Sequence, residues 1–141
     1  MDHLTCARHR VAVATDLPAV LDAAYDAFED MIAVLRRHQE DNEDTFPAFV
    51  MAAAAAANGR DCIAGADALP QAVPRDPISD LSADTSAADV ARAIAALSSE
   101  LADRLTAVAA STPRAGDRRS CESAAAEAAA IARLLGGASS P

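Results

Sequence analysis

Alanine fills 39 of the 141 positions, with an unbroken run from Ala52 to Ala57, and this limits the chain to very few folds. Alanine is the best helix former and loses no side-chain entropy on folding. It also has little side chain to bury, at roughly 0.8 kcal/mol per methyl-sized group. Leu, Ile, Val and Phe together supply only 27 positions. A chain of this kind reads as all-α with a thin core of small residues. Thin cores are marginal alone, so self-association, with a homodimer as its simplest form, is expected.

Charge narrows the partners. The net charge is -9 and the sequence pI about 4.6; lysine is absent and all 12 basic residues are arginine. Nucleic-acid binding needs a basic footprint, and this chain presents the opposite field. The uncharged run from Thr45 to Asn58 is too short to span a bilayer. The first residues contain no apolar block of a secretory signal. Cys6, Cys62 and Cys121 are dispersed, with no Cys-x-x-Cys pair, as expected of reduced thiols in a cytoplasm.

Helix signals divide the chain. Residues 1–15 read as a mobile N-terminal segment, and 16–136 as one helical domain. The first helix, about 16–39, opens at "TDLPAVL", where Thr15 or Asp16 can cap and Pro18 sits in the first turn. Leu17, Leu21, Ala24, Phe28, Met31 and Leu35 then draw one stripe at three-four spacing. A second helix, about 45–58, follows acidic residues and stops at Asn58-Gly59. Residues 60–84, with Pro70, Pro74 and Pro77, form a long linker. A third helix, about 86–110, starts with the capping box Ser86-x-x-Asp89. It carries the cleanest stripe, Val90, Ile94, Leu97, Leu101, Leu105 and Val108, expected as core or interface. "STPRAGDRR" breaks the pattern. A fourth helix, about 120–135, centres on Ala128, Ile131, Ala132 and Leu135 and stops at Gly136-Gly137. Residues 137–141 read as a disordered tail. The expectation is a four-helix bundle with a proline-containing crossover, or two helical hairpins completing each other in a dimer.

One stretch looks like chemistry. In "LRRHQEDNEDTFPAF", residues 35–49, His38 is followed by Glu40, Asp41, Glu43 and Asp44, then Phe46-Pro47. These five ionisable residues are the candidate metal ligands. The stretch resembles the second-helix segment of hemerythrin-like domains, which share a histidine, a nearby glutamate and Phe-Pro. That resemblance implies a di-iron centre. The chain departs from the pattern where those domains place an acid four positions after the histidine: residue 42 is Asn. It also lacks the Glu-x-x-His of ferritin-like sites, since residue 35 is Leu, and its other histidines are His3 and His9. The loop fails the EF-hand pattern, which needs a glycine at position six and a glutamate at twelve. The competing reading is a charged corner between two helices. There Arg36–Glu40 and Arg37–Asp41 pair, and the acids complement the next helix's positive end. The aromatics Tyr25, Phe28, Phe46 and Phe49 flank this corner and are expected to pack together.

Other candidates are thinner. His3, Cys6 and His9 are evenly spaced but lack a fourth ligand or anchor for zinc. There is no G-x-S-x-G, P-loop or G-x-G-x-x-G. A dyad of His38 with Cys6, Cys62 or Cys121 is only a formal option. Ser98, Ser99 and Glu100 read as an exposed face of the third helix. Finally, Tyr25-x-x-x-Glu29 resembles the export signal of alanine-rich helical-hairpin substrates of type VII secretion, which carry it after the hairpin with a Trp-x-Gly turn. This chain has no tryptophan. The sequence therefore leads to a non-enzymatic, cofactor-free protein–protein interaction or regulatory module whose partner is another protein or itself. The alternative is a metal- or small-ligand-binding bundle using the corner around His38.

Overall fold

The computed structural model describes residues 3–70 and 85–138, and among these the chain forms five helices and no strand: α1 (His3–Val13), α2 (Leu17–His38), α3 (Phe46–Ala64), α4 (Ala87–Ala110) and α5 (Ala115–Ala138). The all-α expectation holds, but the count of four helices is corrected to five. Pro74 and Pro77 and most of the 60–84 linker lie outside the described residues, as does most of the 137–141 tail.

Local chemistry explains α2 and α4 best. Asp16, extended at φ -105°, accepts a hydrogen bond from the Ala19 amide at 2.9 Å, and Pro18 occupies the first turn of α2. Ser86 caps α4 by accepting from the Asp89 amide at 3.1 Å. Each cap satisfies one of the amides that a helix start leaves unpaired. On α4, Val90, Ile94, Leu97, Leu101 and Leu105 are buried and Val108 is half-buried. On α2, Leu21, Ala24, Phe28, Met31 and Leu35 are fully buried.

Helix α2 packs on α3, α3 on α5, α5 on α4, and α4 back on α2, while α1 lies against α2 and α4. The core runs between the four longer helices, and its small members matter. Ala24, Ala52, Ala56, Ala91, Ala124 and Ala128 are fully buried, which lets helix backbones approach closely.

Three boundaries differ from the sequence reading. The N-terminal segment read as mobile contains α1, with Leu4, Ala7, Val11 and Ala14 buried along one face. Helix α3 does not stop at Asn58-Gly59 but runs to Ala64, where the Gly65 amide closes onto the Asp61 carbonyl at 3.2 Å. Gly59 is there for packing. A methyl group at its Cα would lie 2.5 Å from Cζ of Phe28, whose ring is fully buried. Helix α5 begins at Ala115 rather than 120 and passes through Gly136-Gly137.

The α4–α5 turn and the exit from α3 are both tied to the first turn of α5. Arg118 donates from Nε and Nη2 to the Thr112 carbonyl at 3.2 and 3.1 Å. Asp117, itself buried, accepts from the amides of Asp67 and Ala68 at 2.9 and 3.4 Å. One carboxylate thus holds the start of the crossover against α5.

Candidate interaction surface and the His38 corner

The corner between α2 and α3 is built by local hydrogen bonds. The Asp41 amide donates to the His38 carbonyl at 3.1 Å, ending α2. Asn42 then organises the turn: its side-chain oxygen accepts from the Asp44 amide at 2.8 Å, and its carbonyl accepts from the Phe46 amide and the Thr45 hydroxyl. Thr45 precedes α3 without a side-chain cap. The expected partnership of Arg37 with Asp41 is replaced by a shorter one. Asp41 Oδ2 lies 2.7 Å from Nδ1 of His38.

Of the five candidate ligands, the structure brings only these two together. His38 is buried, whereas Glu40, Asp41, Glu43 and Asp44 face solvent. A carboxylate only accepts, so Nδ1 carries the proton of the pair. The opposite nitrogen, Nε2, is buried with no hydrogen-bond partner among the described residues. Among the described residues there is no group of three or more His, Cys, Asp and Glu side chains placed to hold a metal ion. His38 is thus buried at the end of α2, with one ring nitrogen held by Asp41.

Two thiols, Cys62 and Cys121, are held in their less reactive protonated form. Burial pushes Cys121 up from 9.0 to about 11, helped by the nearby charges of Asp117 and Glu122. Burial likewise raises Cys62, with Glu127 and Asp61 adding to it. The thiolate is the reactive form, and these environments suppress it. Cys6 is exposed on α1, as is His9.

The expected exposed face at Ser98 is corrected: Ser98 is fully buried, with Oγ 3.5 Å from Sδ of Met31. Tyr25 is half-buried inside α2, and Glu29 lies 3.6 Å from Arg60 on α3. The residues of the export-signal resemblance thus belong to a packed helix.

The expected aromatic cluster divides in two. Phe28 and Phe49 are fully buried, but Phe46 is 41 % exposed. Phe46 continues into an outward face of α3: Val50 is 40 % and Met51 57 % exposed, with Pro47 and Ala54 also facing solvent. Apart from Val13 at the end of α1, these three are the only large hydrophobics so exposed among the described residues. Positions 46, 47, 50, 51 and 54 share one side of a helix, so the exposure forms a stripe. Sequence reading passed over it because α3 is apolar nearly all round, and periodicity has nothing to contrast there. The exposed acids Glu40, Glu43 and Asp44 precede the stripe's N-terminal end in the chain. At the other end Arg60 is engaged by Glu29 at 3.6 Å and Asp61 at 3.3 Å.

No helix among the described residues is long and apolar enough to cross a membrane. No protein-family model, curated protein or solved structure matches the chain.

Proposed function

We propose that the protein is a non-enzymatic docking module that binds another protein through the outer face of α3. The observation that carries this reading is the stripe Phe46, Pro47, Val50, Met51 and Ala54, which leaves large apolar side chains in water. Contiguous exposed apolar surface of this kind marks interaction sites. The partner is an amphipathic helix laid along α3, with its apolar side on the stripe and basic residues at the end that meets the corner. Glu40, Asp41, Glu43 and Asp44 set four carboxylates there against the guanidiniums of Arg36 and Arg37. A second copy fits less well, because each copy carries -9 and the far end of the stripe adds the exposed carboxylate of Asp61. Three large side chains also fall short of the ~800 Å² per partner of a standard stable interface, so the contact is of the transient class. We read α2–α5 as a four-helix bundle with α1 laid outside it, a reading supported by the closed order of their packing.

The test separates binding from stability. Val50→Glu with Met51→Glu changes two exposed positions and is expected to shift unfolding free energy by no more than about 0.5 kcal/mol each. The same variant is expected to lose partner retention in affinity purification from the native cells. Retention of the same partner at wild-type levels would remove α3 as the docking face.

A further inference from the structure

Helix α1 is the basic exception in an acidic chain. His3–Val13 contains no acidic residue and carries Arg8 and Arg10. It is seated in the groove between α2 and α4 by a repeated pattern of contacts. Leu4, Ala7, Val11 and Ala14 are buried, at i, i+3, i+7 and i+10. Arg8, at i+4, pairs with Glu100 of α4 at 2.8 Å. Arg10, at i+6, reaches two carboxylates of α2, Asp26 at 2.8 Å and Asp30 at 3.8 Å. Arg104 of α4 donates from Nη2 to the Ala12 carbonyl at 2.8 Å, satisfying one of the acceptors that a helix C-terminus leaves open.

The groove thus has a counterpart for each feature of a short basic amphipathic helix: space for small apolar side chains, carboxylates for two arginines, and a guanidinium for the last turn. The hold is light. Two of the four buried side chains are alanines, Arg8 is 57 % exposed, and the whole element is eleven residues. Segments with few buried apolar contacts open locally far more often than the core.

We propose that the α2–α4 groove is a recognition site for a basic amphipathic helix of another protein, with α1 as its resident, displaceable occupant. The incoming helix carries aliphatic residues at i and i+7, small ones at i+3 and i+10, and arginines at i+4 and i+6. This site is built on different helices from the α3 stripe and does not depend on it. Because α1 occupies the groove, apparent affinity for an incoming helix is reduced by the fraction of time the groove is open. Loosening α1 must therefore tighten binding.

The probe is a fluorescent peptide with the sequence of residues 1–16, with Cys6→Ser to prevent disulfides, titrated into the full chain and followed by anisotropy. Saturable binding is expected, tightened roughly fivefold when the protein carries Arg8→Ala and Arg10→Ala, and weakened again when Asp26→Asn and Asp30→Asn are added to that arginine-substituted protein, whose α1 no longer uses those carboxylates. Circular dichroism checks that each variant remains helical. Should that combined variant fail to fold, Glu100→Gln, at a more exposed position and likewise added to the arginine-substituted protein, reads the same groove from α4 and is also expected to weaken binding. Absence of saturable binding to both the wild-type and the arginine-substituted protein would overturn the proposal, and so would equal affinity for the two.

Discussion

Gly59 carries more of the packing than its neighbours in the alanine run. Replacing it with alanine gains about 1 kcal/mol of helix propensity, but the new methyl group falls 2.5 Å from the ring of Phe28. That ring is fully buried, and overpacking of this kind costs about 1–3 kcal/mol. Gly59→Ala is therefore expected to lower stability in urea unfolding, although helix propensity alone predicts a gain. In the sequence this glycine looks like a helix stop, because Asn-Gly often is one. No glycine among the described residues has a positive φ, so the usual reason for such a stop is missing, and the ring that needs the space lies 31 positions away. Asp117 is equally local in sequence and distant in effect. Removing its carboxylate leaves the amides of Asp67 and Ala68 without their acceptor. Asp117→Ala is expected to cost about 1–3 kcal/mol and to speed hydrogen exchange at those amides, with Asn restoring part of both. Cys121 gives a pH dependence. Its thiol is raised to about 11 in the folded chain from 9.0, so the folded state keeps its proton longer than the unfolded one. The resulting stability is complete below pH 9 and is lost as pH rises to about 11. Denaturation midpoints of wild type and Cys121→Ala are expected to converge across that window.

At the scale of whole helices, legibility follows how local the determinants are. Helices α2 and α4 have caps within three residues of their starts and a clear apolar stripe, and their limits fall within about two residues of the sequence reading. Helix α1 escaped that reading. Its stripe is half alanine, and its arginines and last turn reach Asp26, Asp30, Glu100 and Arg104, partners that no local pattern can reveal. The same reasoning orders the helices by stability. Amides of α1 are expected to exchange with solvent faster than those of α4 in hydrogen-exchange mass spectrometry, since from Leu4 onward α1 buries Leu4, Ala7 and Val11, whereas α4 buries Val90, Ile94, Leu97, Leu101 and Leu105. Equal protection in the two helices would mean that α1 belongs to the cooperative core. The start of α5 at Ala115 is hidden for a related reason: "STPRAGDRR" looks like a loop, and the contacts of its second half, Arg118 to Thr112 and Asp117 to Asp67 and Ala68, are not visible in the local sequence.

For the molecule as a whole, composition and charge speak before any contact does. An alanine-rich chain carrying -9 becomes helical with a narrow core, and its chemistry-bearing groups lie apart. Among the described residues His38 pairs with Asp41, and Cys62 and Cys121 sit where burial and carboxylates suppress their thiolates. What remains is surface: an apolar stripe on α3 beginning at an acidic corner. The corner was visible in the sequence as a run of carboxylates, whereas the stripe was not, because exposure depends on which side of α3 meets α2 and α5. The most direct test of the docking reading is site-specific photocrosslinking in the native cells, with a photoreactive side chain at Met51 on the stripe or at Glu122 on the exposed side of α5. The account predicts one discrete adduct from Met51 and none from Glu122. The crosslinked segment of the partner is expected to be an apolar helix face bordered by basic residues. Equal labelling from the two positions, or an adduct at Met51 with a second copy of this chain, would contradict it.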